Sequence, residues 1–133
     1  MAWLSKYEQT LLSVLRIVSG LLFFEHGLQK IAHFPPMPAA MAAAHPIPPA
    51  FMPVIMAAGV IELVGGGLIT LGLFTRWAAF IASGEMAVAY FLGHMSMGGI
   101  YPVNNGGGEA ILYCFVFLFL AAAGPGPIAL SRK

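Results

Sequence analysis

The chain has 133 residues, 59% of them hydrophobic and only 8% charged, and its mean hydropathy is +0.87. Ordinary soluble domains carry about a quarter charged residues, so the composition points to a membrane protein whose first partner is the lipid bilayer, with residues 1–133 forming one domain. Six Lys or Arg against five acids give a formal charge of +1, which leaves no basic patch for nucleic acid.

Four apolar segments approach the length of about twenty residues that spans a bilayer as a helix. They cover residues 11–31, 51–74, 77–97 and 108–123. The expected fold is therefore all-α, a four-helix transmembrane bundle. The first segment carries Arg16 in its middle and meets no small-residue cleavage site, so it reads as a retained helix rather than a signal peptide. After it, HFPPMPAAMAAAHPIPPAF forbids a continuous helix but allows a short Ala-rich turn over residues 39–44, lying at the membrane interface. The second and third segments meet almost directly through Thr75 and Arg76, a tight hairpin. SMGGIYPVNNGGG then forms a flexible loop with turn chemistry. It lacks the lysine and preceding strand of a phosphate cradle. GPGP stops the last helix.

Lysine and arginine favour the cytoplasmic side of a membrane. Lys6, Arg76, Arg132 and Lys133 fall on one side and the two long loops contain neither residue, so both termini are expected in the cytoplasm. Lys30, at the end of the first helix, argues the other way.

Each predicted helix carries one glutamate: Glu25, Glu62, Glu85 and Glu109. A charge near the bilayer centre costs about 2.5–3.5 kcal/mol on insertion scales, so these side chains are expected to face inward. Glu62 shares a face with Ala58, Gly59, Gly65 and Gly66, and Glu85 is in register with Ala78, Ala82 and Ala89; such smooth faces let helices approach closely. On the first helix Glu25 and Gln29 form one stripe and His26 and Lys30 the next. Glu109 lies one turn before Tyr113. Glu25, His26, Gln29, Lys30, His94 and Glu109 then cluster toward the outer helix ends and outline a polar pocket, with Glu62 and Glu85 deeper. Glu85 and His94 are nine residues apart, roughly half a turn in azimuth on a straight helix. Either Gly93 permits a bend or the two belong to different clusters. Four acids are matched in the membrane by Arg16 and Lys30 alone, and a proton, a cation or a ligand must balance the rest.

Several sharper chemistries fit poorly. A di-iron bundle needs Glu-x-x-His pairs, whereas Glu25 and His26 are adjacent; no metal site is expected. His26 and His94 could ligate a haem from two helices of the same direction, but a histidine pair alone is a weak signal. Cys114 stands alone, which excludes an intrachain disulfide, a CxxC pair and a cysteine zinc cluster. The ten phenylalanines and eight methionines read as packing or lipid-facing residues. A purely structural role for the glutamates, bonding serines, tyrosines and backbone to fix helix pairing, competes with proton handling.

RIVSGLLFFEHGLQKIAHF, IELVGGGLITLGLFTRWAAF, GEMAVAYFLGH and YPVNNGGGEAILYCFVFLFLAAAGPGP, taken in order, resemble a DoxX family membrane protein over nearly the whole chain. The family's HGxQK element matches His26, Gly27, Gln29 and Lys30; its NGGE-like element matches Asn105 to Glu109 with one extra glycine. The resemblance implies a four-helix protein of the bacterial inner membrane. It also implies a redox association, as a subunit of a thiosulfate:quinone oxidoreductase or a membrane partner of soluble oxidative-stress enzymes. On that basis the expected ligand is a quinone, held by His26, Gln29, Lys30, His94 and Tyr113, with the glutamates moving protons and a redox partner supplying electrons. The competing expectations are a noncatalytic scaffold for soluble redox enzymes and a small-solute or proton-coupled transporter, which four short helices could build only as a homo-oligomer.

Overall fold

The computed structural model describes residues 2–44 and 46–131. Met1, His45, Arg132 and Lys133 lie outside them, so two of the cations behind the expected orientation have no described position. Among the described residues the chain is helical, with no strand. The long elements are α1 (Glu8–Ala32), α2 (Met52–Leu71), α3 (Thr75–Val88) and α4 (Gly108–Ala123). Helices over Glu8–Ala32 and Pro49–Leu71 are long and apolar enough to cross a membrane; α4 is apolar but shorter. The Ala-rich turn is a helix at Ala39–Ala44 with no buried residue.

Small residues set the packing of α1 on α2. A Cβ placed on Gly27 would lie 2.3 Å from the Leu63 amide nitrogen, and one on Gly66 2.5 Å from that of Phe24. The two backbones touch, as small residues at membrane helix seams allow. The second close pair is α3 on α4, joined by Ala78, Ala79 and Ala82 in the core and by a 2.8 Å hydrogen bond from Ser83 Oγ to the Cys114 carbonyl. Between the pairs sits an aromatic cluster: Phe23 from α1 meets Phe117 at 4.7 Å and Tyr113 at 5.7 Å between ring centroids.

The hairpin between α2 and α3 turns earlier than expected. It closes at residues 72–74, and Thr75 and Arg76 already belong to α3. Gly72 takes φ 72°, its amide bonds the Ile69 carbonyl, and the Leu73 amide reaches back to Leu68. This Schellman arrangement stops a helix wherever a residue free to adopt positive φ follows it, which is why the turn falls at the glycine.

Helix α3 does not end at Val88. It continues as a π-helical segment over Ala89–His94, with the Met95 amide bonded five residues back to Tyr90. Each π turn takes in about one extra residue, so Glu85 and His94 are separated by the equivalent of roughly eight α-helical positions, some 80° instead of half a turn. Gly93 lies within this segment.

The end away from this segment is tied by two arginines. Arg16, 1% exposed, points its guanidinium at backbone carbonyls: Ile69 and Thr70 at the end of α2, and Pro125 and Ile128 in the C-terminal tail. Arg76 caps α4 through the carbonyls of Ala121, Ala122 and Ala123. A cation at a helix C-terminus satisfies orphan carbonyls and opposes the negative end of the dipole.

Candidate functional site

At the opposite end, a cavity of about 230 Å³ opens between the two helix pairs. Phe23, His26 and Lys30 reach it from α1, Glu62 from α2, Met86, Ala89 and His94 from α3 and its π extension, and Glu109, Ala110 and Tyr113 from α4. Six of the polar residues singled out from the sequence thus share one wall.

Its floor is an ion pair. Lys30 Nζ bonds Glu62 Oε1, with Glu62 1% and Lys30 29% exposed. Gly59 permits the approach, because any Cβ there would crowd the Lys30 side chain at 2.9 Å. The second carboxylate oxygen, Glu62 Oε2, is buried without a partner, as are Glu85 Oε2 and the Tyr113 hydroxyl. Glu85 lies within electrostatic reach of both Glu62 and Lys30 but is not part of the cavity wall. Replacing Lys30 by methionine should lower stability by roughly 2 kcal/mol, less than the loss of one partner of a wholly buried pair because the lysine keeps some water. Thermal unfolding in detergent reads this, and an unchanged midpoint would mean that the pair is incidental.

The rim is a second pair, His26 Nε2 with Glu109 Oε1 at 3.2 Å, the histidine half-buried and the glutamate exposed. Tyr113 meets the His26 ring edge-on at 6.2 Å. His94 is fixed from the loop: its Nδ1 lies 3.1 Å from the Asn105 backbone carbonyl. A carbonyl only accepts, so Nδ1 carries the proton of this bond and the neutral ring keeps Nε2 as an acceptor.

Besides Glu85, two predicted residues stand outside the cavity. Glu25 is exposed and continues the stripe of exposed Val18, Leu21 and Leu22. The inward face of α1 is set by Gly20 and Gly27, which turns Glu25 about 100° away from His26. Gln29 donates from Nε2 to the Pro35 carbonyl at 3.1 Å and so holds the loop after α1.

Two residues carry more than their sequence context indicates. Asn105 is buried, accepts the Gly107 amide at 2.7 Å, donates to the Gly99 carbonyl at 2.7 Å and presents its own carbonyl to His94. The signal was local, an asparagine before glycines, the pattern of an Asx turn. Arg16 had no comparable signal, since all its partners are backbone carbonyls. Among the described residues, no three His, Cys, Asp or Glu side chains come together as a metal site.

The family model described as DoxX matches residues 11–95. A protein of Haemophilus influenzae, described as uncharacterized, is 44% identical over an alignment of 133 positions that takes in 98% of this chain and 95% of that protein. No solved structure gives a significant match.

Proposed function

Because the chain belongs to the DoxX family of membrane proteins, we propose that it is a multi-pass protein of the bacterial inner membrane, a four-helix transmembrane bundle whose cavity holds the ring of a quinone within a membrane oxidoreductase complex. The observation that carries this reading is the Tyr113 hydroxyl, buried without a partner in a small cavity that also contains His26, His94 and the Lys30–Glu62 pair. A buried polar group without a partner costs about 1–3 kcal/mol, and a ring oxygen would satisfy it. The volume, below the roughly 300–1,000 Å³ of drug-sized pockets, suits one ring with its tail among lipids better than a haem macrocycle.

A bound quinone supplies two-electron, two-proton chemistry, and a redox partner supplies the electrons. The chain's own contribution is positional. Phe23, Met86, Ala89 and Ala110 wall the ring from water, Tyr113 orients it, and the His26–Glu109 pair at the rim connects the cavity to the aqueous side for protons. Lys6, Arg16 and Arg76 lie at the opposite end, which favours cytoplasmic termini and a cavity facing the periplasm.

The test is to purify the protein in mild detergent, extract it for quinone by mass spectrometry, and titrate the extracted protein with a short-chain benzoquinone. One equivalent is expected. Tyr113→Phe should stay within about 0.5 kcal/mol of the parent in stability, since it removes an unpaired hydroxyl, yet bind the quinone roughly five- to tenfold more weakly. A protein that neither retains nor rebinds quinone would sink the reading, and one that still captured a soluble redox enzyme would be a scaffold.

A further inference from the structure

We infer that the cavity distinguishes the two redox forms of its ring and binds hydroquinone more tightly than quinone, an inference that rests on the quinone reading above. The two forms differ in hydrogen-bonding character. A quinone offers two carbonyl acceptors and no donor; the hydroquinone offers two O–H donors that can also accept.

The polar atoms of the cavity are not balanced between these demands. Glu62 sets one oxygen on the Lys30 ammonium and keeps Oε2 buried and unpartnered. Paired with an ammonium the carboxylate is an acceptor only, and a quinone carbonyl beside it would leave it unsatisfied and oppose lone pair to lone pair. A hydroquinone O–H would satisfy it with a charge-assisted bond. The second acceptor is His94 Nε2, left as such because Nδ1 is committed to the Asn105 carbonyl. Tyr113 discriminates neither form, since its hydroxyl donates to a carbonyl or accepts from an O–H equally well. The remaining Lys30 N–H groups favour the quinone, but that ammonium is already held against Glu62. At the rim, His26 and Glu109 are bonded to each other in the open. The enclosed part of the cavity therefore presents two acceptors for which only the reduced ring has donors.

One charge-assisted bond gained on reduction corresponds to about a tenfold preference or more. For a two-electron couple, tenfold raises the potential of the bound ring by about 30 mV.

The experiment measures, on the full chain in detergent and without oxygen, the dissociation constants of a short-chain benzoquinone and of its hydroquinone with the same tail. The expected result is a hydroquinone constant at least about tenfold lower, with Glu62→Gln losing most of that ratio while still binding quinone. Equal affinities, or tighter binding of the oxidised form, would overturn the inference and leave the quinone site standing. Binding of neither form would overturn both. The parent protein's ratio decides the matter even if Glu62→Gln fails to fold.

Discussion

Replacing Arg16 by methionine should lower stability by about 3–5 kcal/mol, since it strips a charged donor from four carbonyls, each such bond contributing roughly 1.5–3 kcal/mol against the arginine's own desolvation. The arginine is 1% exposed and its partners are four backbone carbonyls, Ile69 and Thr70 of α2 and Pro125 and Ile128 of the tail. Methionine fills most of the space but donates nothing, so these carbonyls lose a charged donor in a region with little water. The tail has other ties, since the Leu130 amide bonds Leu71 and the Ser131 amide bonds Gly72, so the tail is expected to loosen rather than detach entirely. Lysine should rescue little. One ammonium on a flexible stem cannot span two segments as a planar five-donor fork does. Unfolding in mixed micelles gives the loss, and limited proteolysis of residues 124–131 shows whether the tail has loosened. A methionine variant within 1 kcal/mol of the parent, its tail still protected, would show that the carbonyls find other donors.

The second large effect is expected at the α1–α2 seam. A Cβ on Gly27 would stand 2.3 Å from the Leu63 nitrogen and 2.7 Å from its Cα, atoms that cannot move out of the way as a flexible side chain can. Overpacking generally costs about 1–3 kcal/mol, and Gly27→Ala should lie at the upper end because a whole helix must shift. It should also weaken ligand binding, since separating α1 from α2 draws Lys30 away from Glu62. Gly84 supplies the opposite sign. It lies inside α3 with no atom within 4 Å of an added Cβ, and Gly84→Ala should stabilise by about 0.5–1 kcal/mol through helix propensity and reduced freedom of the unfolded chain. Measured together, equal effects at the two glycines would remove the case for a backbone seam.

Much of this was legible in the residues themselves. The small-residue face beside Glu62 predicts close approach, and Gly59 and Gly66 make it; Ala78 and Ala82 do pack in the core beneath Glu85. What sequence spacing could not convey was azimuth. Glu25 and His26 are neighbours in the chain, yet only the second faces the cavity, because Gly20 and Gly27 decide which side of α1 can touch α2. On a straight helix Glu85 and His94 point half a turn apart; the π segment between them, which periodicity does not detect, narrows that angle, yet only His94 lines the cavity. The sequence counts Arg16 as a counter-charge for the glutamates, whereas its partners are carbonyls that every residue possesses.

The division of the chain into two tightly packed pairs has a mechanical consequence. Within each pair, α1 with α2 and α3 with α4, contact runs along the helices, and in the first it is backbone on backbone; between the pairs the end away from the cavity is pinned by the three-residue link, by Arg16 and by the tail, whereas the cavity end is held by a few aromatic rings and the His26–Glu109 pair. Each pair therefore acts as a rigid plank, and with the other end pinned the soft coordinate of the molecule is a small displacement of one plank against the other at the cavity end. Lys30 and Glu62 ride on one plank, His94 and Tyr113 on the other. The width of the opening is then a property of their relative register, and anything that grips both sides, a ring or a neighbouring subunit, fixes that register.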